Sequence, residues 1–189
     1  IRDKFSDDRR SEIVNVTGEM DIEDLIPEED CVFTMTQMGY IKRMSVDEYQ
    51  LQKKGGKGRI GITRREEDVV DTMFTASTHS HIMFFTTKGK AYMIKGYEIP
   101  EGSRTSKGMN LVNILPIESD EKVTAMIMIP KERGDLYLCM ITRNGIIKRT
   151  ELENFKNIRK NGIIAINLDE GDMLQKVLLT TGSQDLFVA

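Results

Sequence analysis

Two glycine markers recur in step along this chain, and that constrains its fold more than any other feature. Three times an apolar segment runs into a turn glycine and a basic tail, and about nineteen residues later a second glycine follows Lys or Asn. The first copy reads Val32-Phe33-Thr34-Met35-Thr36, Gly39, Lys42-Arg43, then Lys57-Gly58. The second reads Ile82-Met83-Phe84-Phe85-Thr86, Gly89, Lys90, then Lys107-Gly108, and the third Leu136-Tyr137-Leu138-Cys139-Met140, Gly145, Lys148-Arg149, then Asn161-Gly162. The first marker advances by 50 and then 56 residues, the second by 50 and then 54, so the unit is about fifty residues long. Periods of this length with several strands per unit indicate a propeller-like array, in which each unit buries its faces only against its neighbours.

Within each unit the texture is that of strands of four to seven residues closed by turn signals at Met38-Gly39, Lys88-Gly89 and Asn144-Gly145. Asn144-Gly145 predicts the tightest hairpin, because both residue types tolerate positive φ. A third strand per unit is expected over 69–76, 123–129 and 174–180. The blades therefore fall at about 31–79, 80–134 and 135–183, with Leu186-Phe187-Val188-Ala189 opening a fourth and leaving an incomplete array. Residues 1–30 read as the end of a helix and a linker into the domain, with a helical turn over Asp21 to Ile26 stopped by Pro27.

The net charge of -3 conceals segregation: residues 1–30 hold eleven acids and four bases, leaving the rest of the chain basic. Residues 37–65 carry eight bases against two acids, 88–107 five against two, and 143–160 six against two. Acidic clusters follow each time, at Glu66-Glu67-Asp68, at Glu118 with Asp120-Glu121, and at Asp169-Glu170 with Asp172. If equivalent positions share a side of the array, one rim is basic and another acidic, the footprint of a polyanion binder. The expected basic rim comprises Lys42, Arg43, Arg59, Arg64, Arg65, Lys88, Lys90, Lys95, Arg104, Lys107, Arg143, Lys148, Arg149, Arg159 and Lys160. A solvated charged surface explains one such run but not three in phase.

No apolar run is long enough to span a bilayer as a helix, and Cys31 and Cys139, far apart in apolar runs, read as buried thiols of a reducing compartment. His79 and His81 have no cysteine partners nearby and favour a hydrated turn over a metal site. Tyr40, Tyr92 and Tyr97 lie near bases, where strand packing competes with nucleic-acid contact. The string Gly56-Lys57-Gly58-Arg59-Ile60-Gly61 satisfies G-x-G-x-x-G, but neither a buried strand before it nor an apolar-faced helix after it supports a dinucleotide site. No nucleophile, base and orienting group assemble, so the chain is not expected to catalyse a reaction alone.

The segment Gln52-Lys53-Lys54-Gly55-Gly56-Lys57-Gly58 occurs in one repeat only. Its glycines allow close backbone approach to a phosphate and its lysines supply charge. It resembles the signature box Q-R-R-G-G-K-G of the C-terminal, DNA-wrapping domain of bacterial DNA gyrase A, with lysines at 53 and 54 where that family usually carries arginine. The resemblance extends to Asp24-Leu25-Ile26, Gly39-Tyr40-Ile41-Lys42, Asn113-Ile114-Leu115-Pro116 and Asn144-Gly145 with Ile147-Lys148-Arg149-Thr150, and covers essentially the whole chain. It implies an all-β fold, a β-pinwheel of four-stranded blades that exchange strands between neighbours, with DNA bent around a basic rim. It further implies double-stranded DNA as partner, assembly with the rest of gyrase A and with gyrase B as an A2B2 heterotetramer, ATP and Mg used by that complex and no cofactor in this chain, and a bacterial cytoplasmic, nucleoid-associated location. Lysine for arginine keeps the charge of the box but loses the planar fork that makes two-point contacts. The related domain of topoisomerase IV, which typically lacks an intact box, and a repeat scaffold that binds proteins are the alternatives.

Overall fold

In each fifty-residue unit the first two strands form an antiparallel hairpin and the third pairs antiparallel with the first, which therefore lies inside its sheet. The computed structural model describes residues 22–46, 68–103, 105–132 and 134–187. The strands are β1 (Asp30–Thr36), β2 (Tyr40–Ser45), β3 (Val70–Ser77), β4 (His81–Thr86), β5 (Lys90–Lys95), β6 (Met109–Asn110), β7 (Val123–Ile129), β8 (Tyr137–Thr142), β9 (Ile147–Glu151), β10 (Ile163–Ile164) and β11 (Leu174–Thr180). Among the described residues the only helical pieces are short 3-10 turns, the first at Ile22–Leu25.

Three sheets result, with orders β3-β1-β2-β6, β10-β5-β4-β7 and β11-β8-β9. The two-residue strands cross between units. β6 lies in the second repeat but pairs with β2 of the first, with Tyr40 opposite Asn110 and Ile41 opposite Met109. β10 lies in the third repeat but pairs with β5 of the second, with Ala91 opposite Ile163 and Lys90 opposite Ile164. Strand exchange thus stitches each blade to the next, and β3, β7 and β11 are the strands by which neighbouring sheets touch. The short exchanged strands β6 and β10 lie at the opposite edges of their sheets.

Blades bury their faces against each other. In β4 every residue after His81 is buried, because alternate side chains enter two different cores. Ile82 and Phe84 join Phe33, Met35, Tyr92 and Leu111 between the first and second blades, whereas Met83 and Phe85 join Leu138, Met140, Leu152 and Phe155 between the second and third. Cys31 and Cys139 are buried free thiols.

The hairpin turns explain the first glycine marker. Gly39, Gly89 and Gly145 all have positive φ, and each N–H donates to the carbonyl of the threonine three residues earlier. This is the longer hairpin with a left-handed glycine, not the two-residue turn expected at Asn144-Gly145: Asn144 keeps a negative φ and only the glycine is left-handed. Gly108 marks the exchange itself. A Cβ there would lie 2.4 Å from the Ile41 carbonyl oxygen, and its φ of 85° is costly for any other residue.

At the end of the described chain, Leu186 and Phe187 form no strand, and Phe187 is 94% exposed. Val188 and Ala189 lie outside the described residues.

Candidate nucleic-acid interface

Strand exchange sorts the basic residues into those left facing water and those consumed by the fold. Lys107 precedes β6 on the outer edge of the first blade, Arg159 and Lys160 precede β10 on that of the second, and Lys148 and Arg149 stand on β9 of the third. These five and Arg143 are exposed and form no ion pair with a carboxylate among the described residues. Several are held in place by other means. The Lys107 ammonium sits 3.5 Å from the centroid of the Tyr40 ring, and the Arg149 guanidinium 4.9 Å from that of Tyr137. Lys107 and then Asn110 hold the Tyr40 hydroxyl below its ordinary pKa. Arg149 also donates to the Gly182 carbonyl at 3.3 Å and Lys148 to that of Ala165 at 2.8 Å.

Other members of the expected rim are differently engaged. Lys42 is 3% exposed, with its ammonium on backbone carbonyls, so it is not an open cation. Lys95 donates to Glu23 at 2.8 Å, and His79 lies beside the same carboxylate while its Nε2 meets the Ile26 carbonyl at 2.8 Å. His79 is therefore part of a clamp on the lead-in segment, not of a hydrated turn. Lys88 donates to Glu118 and Asp120, and Lys90 to Glu118. Arg43 is partly buried, donating to the Ile99 carbonyl at 2.8 Å and lying 3.7 Å from Glu101. Arg59, Arg64, Arg65, Arg104 and the whole box, Gln52 to Gly58, lie outside the described residues.

The expected division into a basic and an acidic rim fails in the second unit for a topological reason. The chain reaches the third strand of a unit beside the hairpin that joins its first two, so the acidic run lands on the basic turn. There the acids work as latches. Asp68 accepts from the Met38 N–H at 3.1 Å, Asp172 from the Asn144 N–H at 3.0 Å, and the buried Glu121 from the Thr86 hydroxyl. Their recurrence just before the third strand was the available signal for this role. The ring contacts of Lys107 and Arg149 had no such signal; Tyr40 and Lys107, for instance, belong to different repeats.

The lysines at Glu118 give a prediction. Hydrogen bonds from Lys88 and then Lys90 hold its carboxyl down from 4.5 to about 2, and Asp120 and then Glu118 push the Lys88 ammonium up. A carboxylate whose pKa is depressed on folding stabilises the fold above its unfolded value and loses that contribution as pH falls toward the folded one. The melting temperature of Glu118→Gln is therefore expected to fall less steeply than that of the unaltered chain between pH 4.5 and 2. Parallel curves over that window would show that the cluster contributes nothing.

Against known proteins, the profile of the family described as DNA gyrase C-terminal domain, beta-propeller, matches residues 32–77, 80–130 and 136–181, once per blade. DNA gyrase A of Clostridium acetobutylicum is 45% identical over 188 residues, covering 100% of this chain and 23% of that protein. DNA gyrase A of Staphylococcus aureus is 46% identical over 190 residues, covering 100% of this chain and 21% of that protein. The chain thus spans under a quarter of the length of these relatives. Among solved structures, the C-terminal domain of a DNA topoisomerase IV superposes with a TM-score of 0.72 at 30% identity, covering 83% of this chain and 47% of that one. A DNA gyrase A C-terminal domain superposes with a TM-score of 0.59 at 29% identity, covering 80% of this chain and 48% of that one. Matched blade by blade by one profile and end to end by its relatives, this chain belongs to the DNA gyrase C-terminal domain family of β-propellers.

Proposed function

We propose that this chain binds duplex DNA along the outer edges of its blades, without marked sequence preference, and bends it. In the longer gyrase A polypeptide of which such a domain forms part, the bend directs negative supercoiling by an A2B2 complex with gyrase B in the bacterial cytoplasm. In this reading ATP and Mg belong to the parent complex, this chain holds no cofactor, and strand cleavage is performed elsewhere. The observation that carries the proposal is the recurrence of exposed cations at one edge of successive blades: Lys107, then Arg159 and Lys160, then Lys148 and Arg149. Phosphates spaced along a duplex meet such a row without any base being read, so affinity comes from counterion release and specificity only from DNA deformability. The box, Gln52 to Gly58, adds a further cationic contact or a clasp in this reading. Among the described residues no helix is long and apolar enough to cross a membrane.

Binding of random-sequence duplex over a salt series tests this reading. If the exposed cations named above each neutralise about one phosphate, affinity falls on the order of a thousandfold between 50 and 200 mM salt. Affinity flat across that range would leave a protein-binding scaffold as the better reading. The closer superposition on the topoisomerase IV domain favours a second reading, in which the parent complex relaxes or decatenates DNA without introducing negative supercoils. Supercoiling of relaxed plasmid by the full-length polypeptide combined with gyrase B separates the two.

A further inference from the structure

We propose that Lys42 is a positioning residue. It fixes a loop of the second repeat on the first blade, so that Lys107 stands in place on Tyr40 to meet a phosphate. The inference rests on the DNA-binding reading above.

A lysine is almost never fully buried unless its ammonium is satisfied. Lys42 is 3% exposed, and its Nζ donates to the Ser103 and Ser106 carbonyls, each at 2.9 Å. Those two carbonyls bracket a turn closed by the Ser106 N–H donating to Ser103, so one ammonium ties both of its ends. The next residue continues the attachment. The Arg43 N–H donates to the Pro100 carbonyl at 3.0 Å, and the Gly102 N–H to the Arg43 carbonyl at 2.9 Å. The loop is moulded to the Lys42 stem: a Cβ on Gly102 would lie 3.1 Å from Lys42 Cβ and Cδ, and one on Gly108 would lie 3.2 Å from Lys42 Cβ.

Directly beyond this anchorage the chain presents Lys107 and then enters β6. The exposed Lys107 ammonium is held over Tyr40, two residues before Lys42 on the same strand. A long exposed lysine ordinarily loses rotamer freedom when it binds a phosphate. Here part of that loss is met in the free protein, by the ring beneath the ammonium and by the fixed backbone behind it. The second blade uses a different residue at the same place. Tyr92 is buried, and its ring fills the space where a Cβ of Gly162 would be, 2.7 Å away, just after Arg159 and Lys160. In each of these two blades one inward side chain, Lys42 on β2 or Tyr92 on β5, thus packs against the chain that enters from the following repeat.

The test compares Lys42→Met, Lys107→Gln and the double variant in duplex binding over a salt series, together with tryptic cleavage after Lys107 in the free protein. Lys107→Gln is expected to reduce the slope of log affinity against log salt by about 0.9, the value for one phosphate. If Lys42 acts through the loop, Lys42→Met reduces it by a similar amount, the double variant loses no more than either single one, and cleavage after Lys107 accelerates several-fold. Slope losses that add in the double variant would mean that Lys42 meets phosphate itself. An unchanged slope in Lys42→Met, or unchanged cleavage, would equally overturn the proposal. Gly102→Ala, which pushes the loop away while keeping Lys42, gives the same readouts should Lys42→Met fail to fold. Failure of the unaltered chain to bind duplex would overturn the functional reading, while cleavage after Lys107 would still decide whether Lys42 holds the loop.

Discussion

Phe84→Ala is expected to destabilise the domain by about 3–5 kcal/mol, the range for truncating a fully buried phenylalanine. Phe84 has no exposed surface and lies at the centre of β4, opposite Tyr92 on β5 and Met126 on β7. Its ring enters the core that the second blade shares with the first, alongside Phe33 and Ile82. The cavity would open between blades, where the backbone is fixed by strand exchange on both sides and has little room to collapse. Urea denaturation followed by circular dichroism measures the effect. Phe187→Ser, at the most exposed large apolar residue described, is the control and is expected to change stability by less than about 0.5 kcal/mol. Comparable midpoints for the two variants would mean that the blades do not stabilise one another through this core.

Changing Lys53, Lys54 and Lys57 together to alanine in the complete A2B2 complex is expected to abolish negative supercoiling and to spare relaxation and cleavage. The grounds are sequence and charge. The box places three ammonium groups among three glycines in seven residues, and only the first repeat carries it. In the proposed reading, wrapping sets the sign of the crossing presented for strand passage and performs none of the bond chemistry, so its loss would remove direction and leave catalysis. Plasmid supercoiling and relaxation assays on one preparation give both readouts. Undiminished supercoiling would take the box out of the mechanism. Loss of relaxation as well would mean that it acts on the cleavage core.

The architecture was legible because it is written in local terms. Short runs of apolar and β-favouring residues closed by turn signals mark the strands, and Gly39, Gly89 and Gly145 mark turns because each adopts a positive φ that other residues resist. Even the exchange left a trace, since Gly108 and Gly162 combine positive φ with backbone or ring atoms too close for a Cβ. Asn144 misleads because its tolerance of positive φ is a permission, not a requirement. The longer turn satisfies the same hairpin with the glycine alone.

The interface was legible only as an inventory of charge. By itself the sequence determined the repeating all-β unit, the three long strands of each copy and the excess of cations in each, but neither the short exchanged strands β6 and β10 nor the absence of a strand at Leu186 and Phe187. Which cations face water was decided by the tertiary structure. Coulomb energy depends on distance in space, and pairing of the third strand back onto the first returns Glu118 to Lys88 and Lys90 while the lead-in segment brings Glu23 to Lys95. Exchange likewise turns Lys42 into an internal anchor and delivers Lys107 from the next repeat onto Tyr40. No spacing along the chain encodes these meetings, because each joins residues from different strands or repeats, and they exist only once the blades have packed.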